Sequence, residues 1–174
     1  MTSETTEKLI TIHPGELWFG NGPVKIRTIL GSCVAATFWH PRYRFGGMCH
    51  YVLPARNRPD SPSPSGRDPR YGTDAIALML EEVTRVNTWA NAYVVQLFGG
   101  GNMFPQQSPT ASGLVGDKNL AVARRLLQAA GCKITHEHVA GAGYRTLLFD
   151  LQTGQIQSRF RSVDAEASDD DHTE

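Results

Sequence analysis

Two side chains have the types and spacing for nucleophilic chemistry, Cys33 and His50. A thiol near its ordinary pKa of about 8.5 is mostly protonated at neutral pH. An imidazole beside it can take the proton and leave a thiolate–imidazolium pair that attacks a carbonyl. The spacing brings the two together if residues 33–40 and 46–53 form a hairpin. Between them lies His40-Pro41-Arg42-Tyr43-Arg44-Phe45-Gly46-Gly47, with Pro and Gly where a hairpin loop wants them. A loop centred between Pro41 and Arg42 sets Cys33 opposite His50 and Ala35 opposite Met48, with paired Cβ atoms about 4.5–5.5 Å apart. The small residues Gly31 and Ser32 leave room for a substrate carbonyl. Backbone amides there, the Cys33 N–H first, would line an oxyanion hole. Thr28, on the preceding strand, is placed to orient the imidazole as a third group does in triads. This chemistry calls for no cofactor. Buried unreactive thiols are common, so the register alone leaves a structural reading of both residues open.

The remaining candidates read as packing. Cys49 neighbours His50 in the same strand and so points to the opposite face, into the core. Cys132 starts a strand after a helix and reads as core too. A zinc site built from Cys33, Cys49, His50 and Cys132 is the metal alternative. His136 and His138 share one strand face, but without a spaced Cys or carboxylate set they read as a solvated face, and no metal is expected. Gly99-Gly100-Gly101 has neither the spacing nor the Lys-Ser/Thr of a phosphate loop and reads as a tight turn.

The elements that must hold these residues follow from periodicity. Leu9–Ile12 and Leu17–Phe19 read as strands around a Pro14-Gly15 turn, and Val24–Leu30 as another strand. Thr73 is placed to cap a helix running to about Asn87, with Ile76, Met79, Leu80, Val83 and Val86 as its buried stripe. Tyr93–Phe98 is a buried strand, residues 105–116 read as loop, and Asp117 is placed to cap a second helix closed by Gly131. Strands over 132–139, 144–151 and 156–160 complete the pattern. The expectation is one α+β domain over residues 9–163, a layered α/β/β/α-type sandwich of mostly antiparallel strands with two or three helices. Residues 1–8 read as a flexible tail, 54–70 as a mobile Pro/Ser/Arg loop and 164–174 as a disordered acidic tail.

Bulk properties narrow the function further. Among 174 residues, 17 Lys plus Arg balance 17 Asp plus Glu, so no net charge draws the chain to nucleic acid or anionic membranes. No apolar run approaches the roughly 20 residues a bilayer requires, so direct membrane insertion is not expected. The polar segment 1–8 does not read as a signal peptide, and a cytoplasmic chain with reduced thiols is expected.

Several blocks, in order along the chain, resemble the CheD family of chemoreceptor glutamine deamidases. They are Leu30-Gly31-Ser32-Cys33-Val34, Gly46-Gly47-Met48-Cys49-His50, Tyr71-Gly72 before a helix, Leu97-Phe98-Gly99-Gly100, Val115-Gly116-Asp117-Lys118-Asn119 and Gly141-Ala142-Gly143-Tyr144-Arg145. The resemblance implies a protein-glutamine glutaminase with Cys33 as nucleophile, His50 as general base and a threonine upstream of the cysteine, for which Thr28 is the nearest candidate. The implied partners are the cytoplasmic helices of chemoreceptors and a CheC-type phosphatase. An adaptor with little catalysis is the alternative the same resemblance allows.

Overall fold

A computed structural model of the chain describes residues 6–56, 66–106 and 111–163. Among them, nine strands form two sheets. The first has four strands: β1 (Lys8–Thr11), β3 (Val24–Leu30), β8 (Gly143–Asp150) and β9 (Ile156–Ser162), in that order. The second has five, in the order β2 (Glu16–Gly20), β5 (Gly46–Tyr51), β4 (Val34–Trp39), β6 (Val94–Gly99) and β7 (Ile134–Val139). Only β1 with β3 and β6 with β7 pair in parallel. The helices α1 (Gly72–Arg85) and α2 (Ala111–Ala129) pack on the five-stranded sheet. The architecture is the expected α+β sandwich of mostly antiparallel strands with the sheets stacked face to face, but the outer layers differ from the α/β/β/α order: both described α-helices pack on the five-stranded sheet.

This layering explains the strand sequences. β3 and β8 bury alternate residues, because one face meets the partner sheet and the other meets solvent. β5 is buried at all six positions, because its sheet lies between helices and partner sheet. Val34, Ala36, Cys49 and Tyr51 join Ile76, Met79, Leu120 and Leu127 in a helix-side core. Ala35, Met48 and Phe98 join Ile26, Leu30, Leu147 and Phe149 between the sheets.

The Pro14-Gly15 turn and its flanking strands are as expected, and the chain crosses there from one sheet to the other. Other sequence expectations need correction. Thr73 lies inside α1, whose N-cap is Tyr71. The carbonyls of Leu53 and Pro54 accept the N–H groups of Gly72 and Thr73, at 2.7 and 3.1 Å, so this helix end has backbone partners instead of a capping side chain. Asp117 likewise lies inside α2, which begins six residues earlier, at Ala111. Gly116 argues against a helix by propensity, yet a Cβ there would stand 2.7 Å from the Gly100 carbonyl oxygen. Close approach of the helix to Gly100 outweighs propensity. Of the expected loop and tails, residues 57–65, 1–5 and 164–174 lie outside the described residues.

Gly46 and Gly47 let β5 lie close between its neighbours. A Cβ on Gly47 would run into the Trp18 carbonyl and sit 2.8 Å from the Phe19 Cα, both backbone atoms of β2 that cannot swing aside. Gly47→Ala is expected to lower the unfolding free energy by about 1–3 kcal/mol, read as a reduced midpoint in urea denaturation.

Candidate active site

The β4–β5 hairpin does not adopt the register expected from its loop. Val34 pairs with Tyr51, Ala35 with His50 and Thr37 with Met48. The turn is set by His40. Its Nδ1 accepts the N–H groups of Arg42 and Tyr43 at 3.2 Å each, and its N–H donates to the Phe45 carbonyl at 2.8 Å. Arg44 takes a left-handed φ of 55°. The loop therefore centres one residue later than expected. Cys33, immediately before β4, becomes a diagonal neighbour of His50 instead of its opposite. Paired positions keep their face under this shift, since side chains alternate with a period of two. Diagonal neighbours lie roughly 7–8 Å apart and closer at Cβ, and no hydrogen bond joins the Cys33 thiol to His50 Nε2. Cys33 packs on the inter-sheet cluster, the side on which His50 meets the partner sheet.

His50 comes from the five-stranded sheet and its hydrogen-bond partner from the other. Thr28 Oγ1 lies 2.7 Å from His50 Nδ1 and 2.8 Å from the Ile12 carbonyl oxygen. A hydroxyl has one proton, and a carbonyl can only accept. Thr28 therefore donates to Ile12 and accepts from His50 Nδ1–H. This assigns the neutral tautomer whose Nε2 carries a lone pair, and that buried Nε2 has no hydrogen-bond partner among the described residues. The period-two alternation of β3 turns Thr28 inward, while its neighbours Arg27 and Ile29 face solvent.

Burial sets the protonation. His50 is 1 % exposed, and its pKa is pulled down to about 4, by burial first and by nearby His13 second, with Glu16 opposing. Burial also pushes the Cys33 thiol up, against a smaller downward pull from its own backbone N–H. Both shifts run against the charged form of each group.

The backbone that carries Cys33 is held at three successive carbonyls. Gly31 O accepts from Gly101 N–H at 2.9 Å, Ser32 O from Asn119 Nδ2 at 3.3 Å, and Cys33 O from Gly100 N–H at 2.8 Å. Asn119, fully buried on α2, also donates to Val52 O at 2.8 Å, so one amide ties the start of β4 to the end of β5. Gly99 and Gly100 have φ of 103° and 63°, and a Cβ on Gly99 would strike the Cys33 carbonyl. The glycine run is not the tight turn expected: Gly99 ends β6, and the N–H groups of Gly100 and Gly101 go to the Cys33 and Gly31 carbonyls instead of closing a turn, so the run clamps the thiol's backbone. Sequence reasoning noted Asn119 only as part of a block; the signal for its role is an amide on the buried face of an amphipathic helix, which needs partners.

Cys49 and Cys132 face the helix-side core, with burial lifting their thiols to about 12 and about 11. Cys33 and His50 lie on the other side of the sheet, so the four residues of the zinc alternative do not converge. His138 does not belong wholly to a solvated face: its Nδ1 lies 2.7 Å from Ser158 Oγ on the partner sheet.

The family model described as CheD chemotactic sensory transduction matches residues 52–160. A probable chemoreceptor glutamine deamidase CheD 3 of Dechloromonas aromatica is 42% identical over 90% of this chain and 91% of its own length. The chain belongs to the CheD family. A second CheD relative, the probable chemoreceptor glutamine deamidase of Pseudomonas fluorescens, is 40% identical over 91% of this chain and 87% of its own length. The CheD model begins just after His50 and takes in the glycine run and Asn119, while the relatives' alignments span nine-tenths of the chain.

The lowered pKa of His50 has a consequence for stability. Below the ordinary imidazole pKa of 6.5, the unfolded chain takes up a proton that folded His50 refuses until about pH 4. Its contribution is complete above pH 6.5 and is lost as pH falls through that window, at up to about 1.4 kcal/mol per pKa unit. Urea denaturation from pH 7.5 to 4.5 is expected to fall less steeply for His50→Gln than for the wild type.

Proposed function

We propose that this chain deamidates glutamine side chains of chemoreceptors to glutamate, with Cys33 as nucleophile, His50 as general base and Thr28 as the group that orients the base. The observation that carries this reading is the Thr28–His50 hydrogen bond. It leaves Nε2 as the basic nitrogen of a neutral imidazole on the inter-sheet side that Cys33 shares. The curated CheD relatives named as glutamine deamidases support the reaction class.

In the proposed cycle a receptor glutamine enters beside Cys33. As Sγ attacks the carboxamide carbon, its proton passes to His50 Nε2. Backbone N–H groups around Gly31, Ser32 and Cys33, the Cys33 N–H first, hold the oxyanion. The C–N bond then breaks, and the proton on Nε2 leaves with ammonia. Water attacks the thioester and gives its proton to Nε2. Collapse of the second oxyanion frees glutamate and returns the proton to sulfur. The same acyl intermediate would form from a glutamate methyl ester, with methanol as leaving group. Because burial runs against charge on both groups, proton transfer accompanies attack and does not precede it.

The substrate is a receptor's cytoplasmic helix surface, so the reaction belongs in the cytoplasm, where the free thiols Cys33, Cys49 and Cys132 stay reduced. A CheC-type phosphatase is a proposed second partner on the same grounds of family.

With a chemoreceptor cytoplasmic fragment as substrate, mass spectrometry is expected to register conversion of glutamine to glutamate by the wild type and none by Cys33→Ala. His50→Ala is expected to lose about 10²–10⁴-fold. Thr28→Val should lose about tenfold, the kinetic equivalent of one hydrogen bond, while Thr28→Ser stays near wild type. Conversion undiminished in folded Cys33→Ala would defeat the assignment. The acid limb of kcat/KM is expected near pH 4, where His50 protonates, and a limb near 6.5 would show that the working imidazole is a solvated one.

A further inference from the structure

The strand registers align a second polar cluster with the first. On the four-stranded sheet, Thr28 pairs with Leu147 and Leu147 with Ser158. On the other sheet, His50 pairs with Ala35, Ala35 with Phe98 and Phe98 with His138. One row therefore begins at the Thr28–His50 bond and ends at the Ser158–His138 bond, each joining the two sheets. The next inward-facing row of the four-stranded sheet is Leu30, Arg145 and Phe160.

Arg145 is the anomaly in that row. It is 3 % exposed, and its Nε and Nη1 are buried without a hydrogen-bond partner. Among the described residues no carboxylate pairs with it, and burial alone acts on its pKa, downward. A guanidinium cannot shed its proton to escape such a site, and an unpaired buried charge is among the costliest arrangements a fold can keep. The neighbouring groups are cationic or neutral: His138, which the guanidinium reaches electrostatically, and exposed His136 beside it. The Phe160 ring covers the guanidinium, with Cζ 4.7 Å from its centroid, and is itself 40 % exposed. The same ring lies against Gly141 and Gly143, where side chains would crowd it. The ring thus shields one face of a guanidinium whose Nε–H is unused.

We propose that Arg145 and His138 form a carboxylate-binding site at the seam between edge strands β7 and β9, closed over by Phe160. The orphaned Nε–H, together with the Nη2–H on the same edge of the guanidinium, offers a planar fork to the two oxygens of one carboxylate, as Arg124 Nε and Nη2 do for Glu137. The carboxylate has two possible sources. One is this chain, which leaves β9 at Val163, whose N–H donates to Ala142 O at 3.1 Å, and then carries acids at 164, 166, 169, 170, 171 and 174. The other is an acidic side chain of the protein substrate.

The test uses the full chain, the chain ending at Val163, and Arg145→Met in both, melted in acetate or glutarate against chloride at equal ionic strength. The site predicts a carboxylate-specific rise of about 3 °C that Arg145→Met removes. It also predicts that Arg145→Met melts higher than wild type in chloride, because an unpaired buried charge gives way to an apolar chain of similar reach. A larger rise in the shortened chain assigns the site to the chain's own acids, and an equal rise assigns it to another protein. No carboxylate-specific rise in either wild-type chain, or the same rise in Arg145→Met, overturns the proposal. Should Arg145→Met not fold, NMR titration of the His138 ring in the wild type decides, since an occupied site shifts its resonances and an absent one leaves them still. These readouts involve no glutamine chemistry, so they stand or fall apart from the deamidase reading.

Discussion

The bond from His50 to Thr28 depends on a constraint outside either residue, the single proton of the threonine hydroxyl. That proton is committed to the Ile12 carbonyl, at the point where the chain leaves one sheet for the other. With the hydroxyl fixed as an acceptor towards the ring, the tautomer of His50 follows, and so does the nitrogen that can act as a base. The inward face of β3, the crossover after β1 and the stacking of the two sheets all have to be right for this one geometry. The sandwich is thus the means by which an ordinary threonine and an ordinary histidine acquire fixed roles.

Burial adds the second condition. Burial holds the His50 imidazole neutral down to about pH 4 and pushes the Cys33 thiol up, so both groups keep their uncharged forms more readily than they would in water. The three carbonyls bound by Gly101, Asn119 and Gly100 keep the thiol's backbone from relaxing away. Positioning here comes from main-chain atoms and one helix amide, and the charged residues of the surface have no part in it.

Much of this is written in local patterns. The alternation in Val24–Leu30 gives both the strand and the inward face of Thr28, and the 3.6-residue stripe Ile76, Met79 and Val83 gives α1. Adjacent positions in one strand separate Cys49 from His50. What local pattern misses is decided by partners distant in sequence. His40 fixes the hairpin register through its ring nitrogen, which no turn preference encodes. Gly116 sits in a helix because Gly100 lies against it, and Asp117 therefore looks like a cap without being one. The pairing of Cys33 with His50 shifted by two positions and still kept both on one face, because only an odd shift would have separated them.

Because His50 and Thr28 belong to different sheets, their hydrogen bond doubles as a gauge of how tightly the sandwich is shut. Proteins open in cooperative patches well before they unfold as a whole. A patch that loosens one sheet from the other would cut His50 off from Thr28 while both sheets kept their own ladders. On the roles proposed for these two residues, turnover would fall before the sheets themselves come apart.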